Sequence, residues 1–227
     1  MNVAVLIPFT SDEPWRVRAR NHVIAAYRTQ GYHVVEGACP DPWRKAVAVA
    51  GALAQVTAEV LVVADADCLT DIGPAVAAVA GGATWAVPHQ LVHRLDETAT
   101  EAVYDGANPA STTGRVQRPY VGFAGGGVVV VARPVYERVP LDPRFSGWGG
   151  EDSSWALALT CLAGEPARFG ADLHHLFHPA ASRMSRRWGS AQSRALEIRY
   201  RTARTNRRQM TDLLAEAAHT PTQAVSA

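Results

Sequence analysis

Short continuous apolar runs alternate with longer segments of mixed polarity through the first third of the chain. Residues 3–9 (VAVLIPF), 32–36 and 59–64 (EVLVVA) are typical of strands that are buried on both faces of a sheet. Between them, capping residues and apolar spacing predict helices over residues 11–30 and 41–56. This order at short spacing predicts right-handed crossovers and a parallel sheet with helices on both faces.

The second half of the chain is less regular, but apolar segments still alternate with helical patterns. Strands are expected over residues 85–88, 122–131 and 167–177, and helices over residues 95–107, 151–163 and 189–218. No internal repeat or linker divides the chain. We therefore expect the α/β class, with a mostly parallel sheet in residues 1–182 and a C-terminal helical extension in residues 183–227.

Composition narrows the class of protein further. The 227 residues are 48% hydrophobic and 19% charged, which suits a globular protein and excludes wholesale disorder. The three cysteines have no paired spacing, which favours a reducing, cytoplasmic setting. No apolar run reaches the length of a membrane span, so no membrane contact is expected.

The net charge of +1 hides an asymmetry along the chain. Residues 1–182 contain 13 basic and 18 acidic residues, whereas residues 183–208 contain nine arginines and one glutamate. On a continuous helix, four of these arginines would share one face: Arg194, Arg201, Arg204 and Arg208. Three interpretations stay open: a solvated helix, arginines that clamp a diphosphate, and a surface that neutralises nucleic-acid phosphates.

Two carboxylates, Asp65 and Asp67, follow the third predicted strand directly. Ligands bind beyond the carboxyl ends of strands in such sheets, and two like charges this close favour a cation such as Mg²⁺ or Mn²⁺. A solvated turn that caps the next helix is the alternative. His178, at the expected end of a later strand, is a candidate third ligand. His174 and His175 are expected to be ordinary strand or surface residues.

The segment of residues 145–152 (FSGWGGED) has the most specific pattern in the chain. Three glycines and a tryptophan before an acidic pair predict a tight loop that leads into a helix N-terminus. Such a backbone can approach a ligand closely, and Trp148 can stack on a sugar ring or a base. The alternative is an acidic capping pair with Trp148 in the core.

Together these segments resemble the GT-A-fold glycosyltransferases. The shared order is a strand ending in Pro-Phe, a D-x-D, Gly125-Gly126-Gly127, FSGWGGED and a late His-Pro, over about residues 1–180. The GWGGED segment resembles the galactosyltransferase C-terminal pattern, and residues 44–53 resemble family-two transferases. The chain is also similar in size to short phage-encoded and actinobacterial transferases, and a phage enzyme would work in the host cytoplasm.

The resemblance implies a Rossmann-like domain that transfers a hexose from a nucleotide-sugar, with a UDP-sugar favoured and Mn²⁺ or Mg²⁺ as cofactor. Asp67 and His178 would bind the metal, and Asp65 the metal or the ribose. Asp152 would be the base of an inverting reaction, with Glu151 beside it. The other residues that the resemblance places around the nucleotide-sugar are Pro8, Phe9, Arg16, Gly126, Gly127, Trp148, Gly149 and Gly150.

The acceptor stays open at this stage. A hydroxymethylated DNA base would suit the arginine segment, and saccharide, lipid-linked and protein acceptors are alternatives. A metal-dependent nucleotidyltransferase or hydrolase would use Asp65 and Asp67 but leaves FSGWGGED unexplained. A non-catalytic nucleic-acid-binding protein would explain the arginines but not the acidic motifs. No G-x-G-x-x-G follows the first strand, which argues against a dinucleotide-dependent dehydrogenase.

Overall fold

A computed structural model describes residues 2–112, 120–179 and 189–218, which form one mixed sheet with helices on both faces. The strands are β1 (Val3–Pro8), β2 (His33–Gly37), β3 (Val60–Ala64), β4 (Cys68–Leu69), β5 (Trp85–Arg94), β6 (Tyr120–Val121), β7 (Val128–Ala132) and β8 (Ala167–His175). The helices are α1 (Pro14–Thr29), α2 (Lys45–Leu53), α3 (Gly73–Ala80), α4 (Glu97–Tyr104), α5 (Arg133–Arg138), α6 (Glu151–Ala163), α7 (Ala191–Ala203) and α8 (Arg207–Ala218).

The strand order in the sheet is β2-β1-β3-β7-β5-β8-β4, and β6 pairs with β5. Parallel pairs join β1 to β2, β1 to β3 and β5 to β8, and they contain most of the paired positions. β7 is antiparallel to both of its neighbours, β3 and β5. The predicted α/β class, with a mostly parallel sheet flanked by helices, is confirmed. Because β7 runs against β3, the loop that enters β7 lies beside the carboxyl end of β3.

Two hydrophobic cores lie on the two faces of the sheet. In β1, Ala4 and Leu6 face the core under α2, α6, α7 and α8, whereas Val5 and Ile7 face the core under α1, α3 and α4. This two-sided burial follows from the strand period of two, and it explains why the apolar run of β1 is continuous rather than alternating. No helix in the described part of the chain is long and apolar enough to cross a membrane.

The C-terminal segment differs from its prediction, because the expected single helix is two helices with a turn after Ala203. Asn206 accepts a hydrogen bond from the Gln209 N–H at 3.1 Å and so caps the start of α8. The turn lets α8 fold back, and its Met210 and Leu213 enter the same core as Tyr200 of α7. The predicted face that joins Arg208 to the arginines of α7 is therefore wrong.

The start of α2 also differs from its prediction. Arg44 has an extended backbone (φ −138°, ψ 106°), so the helix begins at Lys45 and not near residue 41. A helix that begins there places Lys45 in its first turn, with its side chain buried.

Candidate functional site

Three potential metal ligands meet beyond the carboxyl end of β3. Asp67 lies in the turn between β3 and β4, and antiparallel pairing of Cys68 with His175 brings the end of β8 beside it. His178 Nε2 lies 3.3 Å from Asp67 Oδ2, and His175 Nε2 lies 3.7 Å from Asp67 Oδ1. All three ligand atoms lie within 4.8 Å of one another, so they fit around one metal ion. The sequence predicted Asp67 and His178 as metal ligands, with Asp65 binding the metal or the ribose. In the structure Asp65 contacts Lys45 and is not part of this cluster. His175, which was expected to be an ordinary residue, takes its place because β8 pairs with β4.

The surroundings of Asp67 hold it in an ionised form. Burial alone would raise its pKa, but the neighbouring His175 and His178 lower the pKa of this carboxyl well below its usual value. The Cys68 thiol donates to Asp67 Oδ1 at 3.3 Å, and the Leu176 N–H donates to the Asp67 carbonyl at 2.8 Å. Burial lowers the pKa of His175, which favours its neutral, metal-binding form.

A buried lysine joins the two acidic motifs. Lys45 Nζ donates to Asp65 Oδ1 at 2.6 Å and to Asp152 Oδ1 at 2.7 Å, with only 8% of the side chain exposed. Burial alone would lower its pKa, yet the nearby Asp152, Asp65 and Glu151 raise the pKa of Lys45 well above its usual value. Lys45 was not among the predicted site residues. Its signal in the sequence is that it is the one lysine beside 21 arginines, and it begins an otherwise apolar helix.

The acidic pair occupies the first turn of α6, directly after Gly150, whose φ is +90°. Glu151 accepts a hydrogen bond from the Gly149 N–H at 2.9 Å, and burial raises its pKa. Burial also raises the pKa of Asp152 to about 8, with further contributions from the charges of Glu151 and Asp65, while Lys45 opposes the rise. Asp152, whose side chain is 19% exposed, is therefore a carboxyl that changes protonation near neutral pH, which is suited to proton transfer.

The glycine-rich entry to β7 packs between the two acidic motifs. The Gly127 carbonyl accepts the Asp65 N–H at 2.8 Å, and a Cβ on Gly125 would lie 2.3 Å from the Asp152 carbonyl oxygen. Gly126 packs against the ring of Phe123. The resemblance implies that Gly126 and Gly127 lie against the donor sugar, and this role stays a prediction. In the structure this loop brings the D-x-D turn and the start of α6 close together.

Trp148 lies at the tip of the FSGWGGED loop and is 47% exposed, so the alternative that placed it in the core is wrong. Its ring stacks on Trp43 at 6.1 Å, and the Arg16 guanidinium lies 5.0 Å from its ring centroid. Two of the predicted donor-site residues, Arg16 and Trp148, are therefore in contact. Trp43 is an aromatic neighbour that the motif analysis did not include.

Pro8 is the last residue of β1 and Phe9 follows it, beside the strand that leads to Asp65. The Phe9 N–H donates to the Gly37 carbonyl at 2.9 Å, and the Arg20 guanidinium lies 4.9 Å from the Phe9 ring centroid. Both residues thus lie at the same edge of the sheet as the D-x-D turn.

Helix α7 makes hydrogen bonds to the FSGWGGED loop and to the first turn of α6. Ser193 accepts the Ser146 N–H at 3.3 Å, and Glu197 accepts a hydrogen bond from the Ser153 hydroxyl at 3.1 Å. One helical turn on, the Tyr200 hydroxyl donates to the buried Asp142 carboxylate at 2.8 Å. These contacts lie on both sides of the Gly149-Gly150 turn, so α7 supports the position of the acidic pair.

Replacing Tyr200 by phenylalanine is expected to lower the free energy of unfolding by about 1–3 kcal/mol, because it leaves one acceptor site of the buried Asp142 without its donor. Urea denaturation measures this loss. The Tyr32→Phe variant is the matched control, and it should lose less stability because the Tyr32 ring is only partly buried. Equal stability of the Tyr200 variant and the wild type would contradict the prediction.

Five of the six arginines in residues 189–218 make contacts within the fold. Arg199 pairs with Glu216 at 2.7 Å, and Arg201 pairs with Glu197 at 2.7 Å. Arg207 donates to two carbonyls near the end of α6, at 2.8 and 3.1 Å. The remaining arginines of the basic segment before α7, namely Arg183, Arg186 and Arg187, lie outside the described residues.

No protein-family model matches this chain, and no curated protein matches it significantly. Solved structures of glucosyl-3-phosphoglycerate synthase from Mycobacterium tuberculosis are similar to it. The complex with phosphoglyceric acid is 15% identical over 90% of this chain and 80% of that chain, with a TM-score of 0.47. The complex with Mn²⁺, uridine diphosphate and phosphoglyceric acid is 15% identical over 90% and 78%, with a TM-score of 0.49.

Proposed function

We propose that this protein is a metal-dependent glycosyltransferase of the GT-A type, which moves a hexose from a nucleotide-diphosphate sugar to an acceptor hydroxyl. One observation carries the proposal. Asp67 belongs to a cluster of residues that could bind a metal, and Asp65, two residues before it, is linked through Lys45 to the partly buried Asp152. Glycosyl transfer needs both parts, a cation for the leaving diphosphate and a base for the acceptor.

The cation site consists of Asp67, His175 and His178, whose carboxylate and imidazole groups fit a divalent ion. A bound Mn²⁺ or Mg²⁺ would neutralise the charge that develops on the leaving diphosphate. Following the family resemblance, the donor binds along Pro8, Phe9 and Arg16 at the end of β1 and the start of α1. The sugar then lies against Gly126, Gly127, Trp148, Gly149 and Gly150.

Asp152 is the proposed base. Its carboxylate accepts the proton of the acceptor hydroxyl while that oxygen attacks the anomeric carbon from the side opposite the leaving group, which inverts the configuration. Lys45 fixes the orientation of Asp152 through the 2.7 Å contact and links it to Asp65. Glu151, which is tied to the Gly149 N–H, holds the first turn of α6 in place.

The donor and the acceptor are separate proposals. A UDP-sugar with Mn²⁺ is the donor that the family resemblance favours. The acceptor that we propose first is a hydroxymethylated DNA base, which the excess of arginine in residues 183–208 would bind through phosphates. Saccharides, proteins and phosphoglyceric acid are the other acceptors to test.

The proposal is tested by incubating the purified protein with Mn²⁺ and a panel of UDP- and GDP-sugars. The acceptors are hydroxymethylated DNA, oligosaccharides, a protein extract and phosphoglyceric acid, each analysed by mass spectrometry. We expect one acceptor to gain a hexose while a nucleoside diphosphate is released. The Asp67→Asn variant should lose this activity. The Asp105→Asn variant, changed at an exposed residue, should keep it.

Two outcomes would overturn the proposal. Formation of a nucleoside triphosphate or free phosphate without sugar transfer would indicate a nucleotidyltransferase or hydrolase. Salt-dependent retention on DNA without any binding of nucleotide-sugar would indicate a nucleic-acid-binding protein.

A further inference from the structure

We infer that Glu197 of α7 is a positioning residue for Asp152, because it supports the turn of backbone from Gly150 to Ser153 that carries this carboxylate. The inference rests on the proposed function, since it names a residue that sets the rate of the proposed transfer by acting through Asp152. Glu197 is the one acidic residue beside the nine arginines of residues 183–208, and no motif in the sequence pointed to it.

The turn that leads into α6 restrains its own position only weakly. Gly149 and Gly150 both have positive φ (+106° and +90°), and a glycine backbone moves freely because it has no side chain. Gly150 also occupies the N-cap position of α6, so it offers no side chain that could accept the free N–H groups there. The position of Asp152, two residues later, therefore depends on contacts from other elements.

Glu197 supplies such contacts before and after Asp152 in the chain. Its Oε1 accepts the Ser153 hydroxyl at 3.1 Å. Its Oε2 and Cβ lie 3.4 and 3.5 Å from the position that a Cβ on Gly150 would take, so the side chain packs directly on this glycine. The Ser153 hydroxyl also lies 3.1 Å from the Gly150 carbonyl, but it has one proton, and an ionised acceptor binds that proton more strongly.

Two other elements contact Asp152 itself. A Cβ on Gly125 would lie 2.3 Å from the Asp152 carbonyl oxygen, so the glycine-rich entry to β7 touches its backbone. Lys45 donates to its carboxylate at 2.7 Å. Loss of Glu197 leaves both of these contacts in place and removes the support that α7 gives to the turn. The expected result is a carboxylate that keeps its charge partner but is less precisely placed.

Arg201 contacts Glu197 from the solvent side. Its guanidinium donates to Glu197 Oε1 at 2.7 and 3.2 Å, and 65% of its side chain is exposed. An ion pair with this exposure contributes little to stability. The contacts of Glu197 with α6, and not its ion pair, therefore carry the positioning, and a change at Arg201 separates the two.

Hydrogen exchange of the full chain without ligands, followed by NMR, measures the support itself. The Ser154 N–H donates to the Gly150 carbonyl at 3.0 Å, so it exchanges when the first turn of α6 opens. Glu197→Ala should speed this exchange by about fivefold or more, because the turn loses a hydrogen bond. Glu197→Gln keeps an oxygen that accepts the Ser153 hydroxyl, and should exchange nearly as the wild type does. Glu165→Ala, changed at an exposed glutamate, is the control.

Turnover measures the consequence for the proposed reaction, with the donor and acceptor that react in the panel above. Glu197→Ala should lower kcat by about 10–100-fold, the effect of a displaced reacting group, while calorimetry shows unchanged affinity for UDP. Glu197→Gln should recover most of kcat, and Arg201→Gln should turn over as the wild type does. A general loss of folding would lower UDP binding as well, so this split distinguishes positioning from stability.

Three results would each overturn the inference: wild-type exchange at Ser154 in Glu197→Ala, wild-type kcat in that variant, or an equal loss of kcat in Arg201→Gln. Absence of transfer by the wild-type protein overturns the proposed function instead. The exchange measurement uses no donor or acceptor, so it decides whether Glu197 supports the turn even in that case.

Discussion

Replacing Asp152 by asparagine is expected to lower the rate of sugar transfer by about 10²–10⁴-fold, the usual contribution of a positioned base. The amide has nearly the same size and still accepts a hydrogen bond from Lys45, so donor affinity should change little. Isothermal titration with a UDP-sugar and a turnover assay separate these two effects. Full activity in this variant would remove Asp152 from the reaction.

The pH dependence of sugar transfer by the wild-type protein should reflect the ionisation of Asp152. Burial raises the pKa of Asp152 to about 8, so the carboxyl is protonated below that pH and ionised above it. A base must be ionised, so kcat/KM at low substrate should rise as the pH increases through about 8 and then level off. A profile that is flat from pH 6 to 9 would argue against Asp152 as the base.

Replacing Lys45 by methionine is expected to lower the free energy of unfolding by about 1–3 kcal/mol, because it removes the buried cation from ion pairs with two partly buried carboxylates. The substitution leaves Asp65 and Asp152 without the ammonium that both contact. In its absence the pKa of Asp152 should rise further, so the folded state would hold a proton that the unfolded chain releases. The loss of stability should therefore be larger at pH 9 than at pH 6.

Urea denaturation at the two pH values measures this effect. The Lys45→Met/Asp152→Asn double variant should recover part of the lost stability, because it no longer carries the unpaired carboxylate of Asp152. The Arg28→Met variant is the control, because it removes a cation that is exposed to solvent. Its free energy of unfolding should change by less than about 0.5 kcal/mol. A Lys45 variant as stable as the wild type at pH 9 would show that the lysine does not compensate these carboxylates.

Local patterns in the sequence predicted much of the first half of the fold. Continuous apolar runs mark β1 and β3 because both faces of these strands are covered, and this requirement is visible in the residues themselves. The order of strands and helices then placed Phe9 and Asp65 at one edge of a parallel sheet, as observed. The turn after Ala203 escaped prediction, because no glycine or proline marks it and its signal is the single capping residue Asn206.

The sequence by itself therefore determined the sheet-and-helix class, the edge where the D-x-D lies and the acidic start of α6. Only the tertiary structure decided which side chains meet there. His175 joins Asp67 because β8 pairs with β4, and Lys45 joins Asp65 to Asp152 because α2 packs on the same core as α6. Hydrophobic periodicity reports which face of an element is buried, a local property. Pairing between elements 100 residues apart depends on the summed packing of the whole chain, and no single segment encodes it.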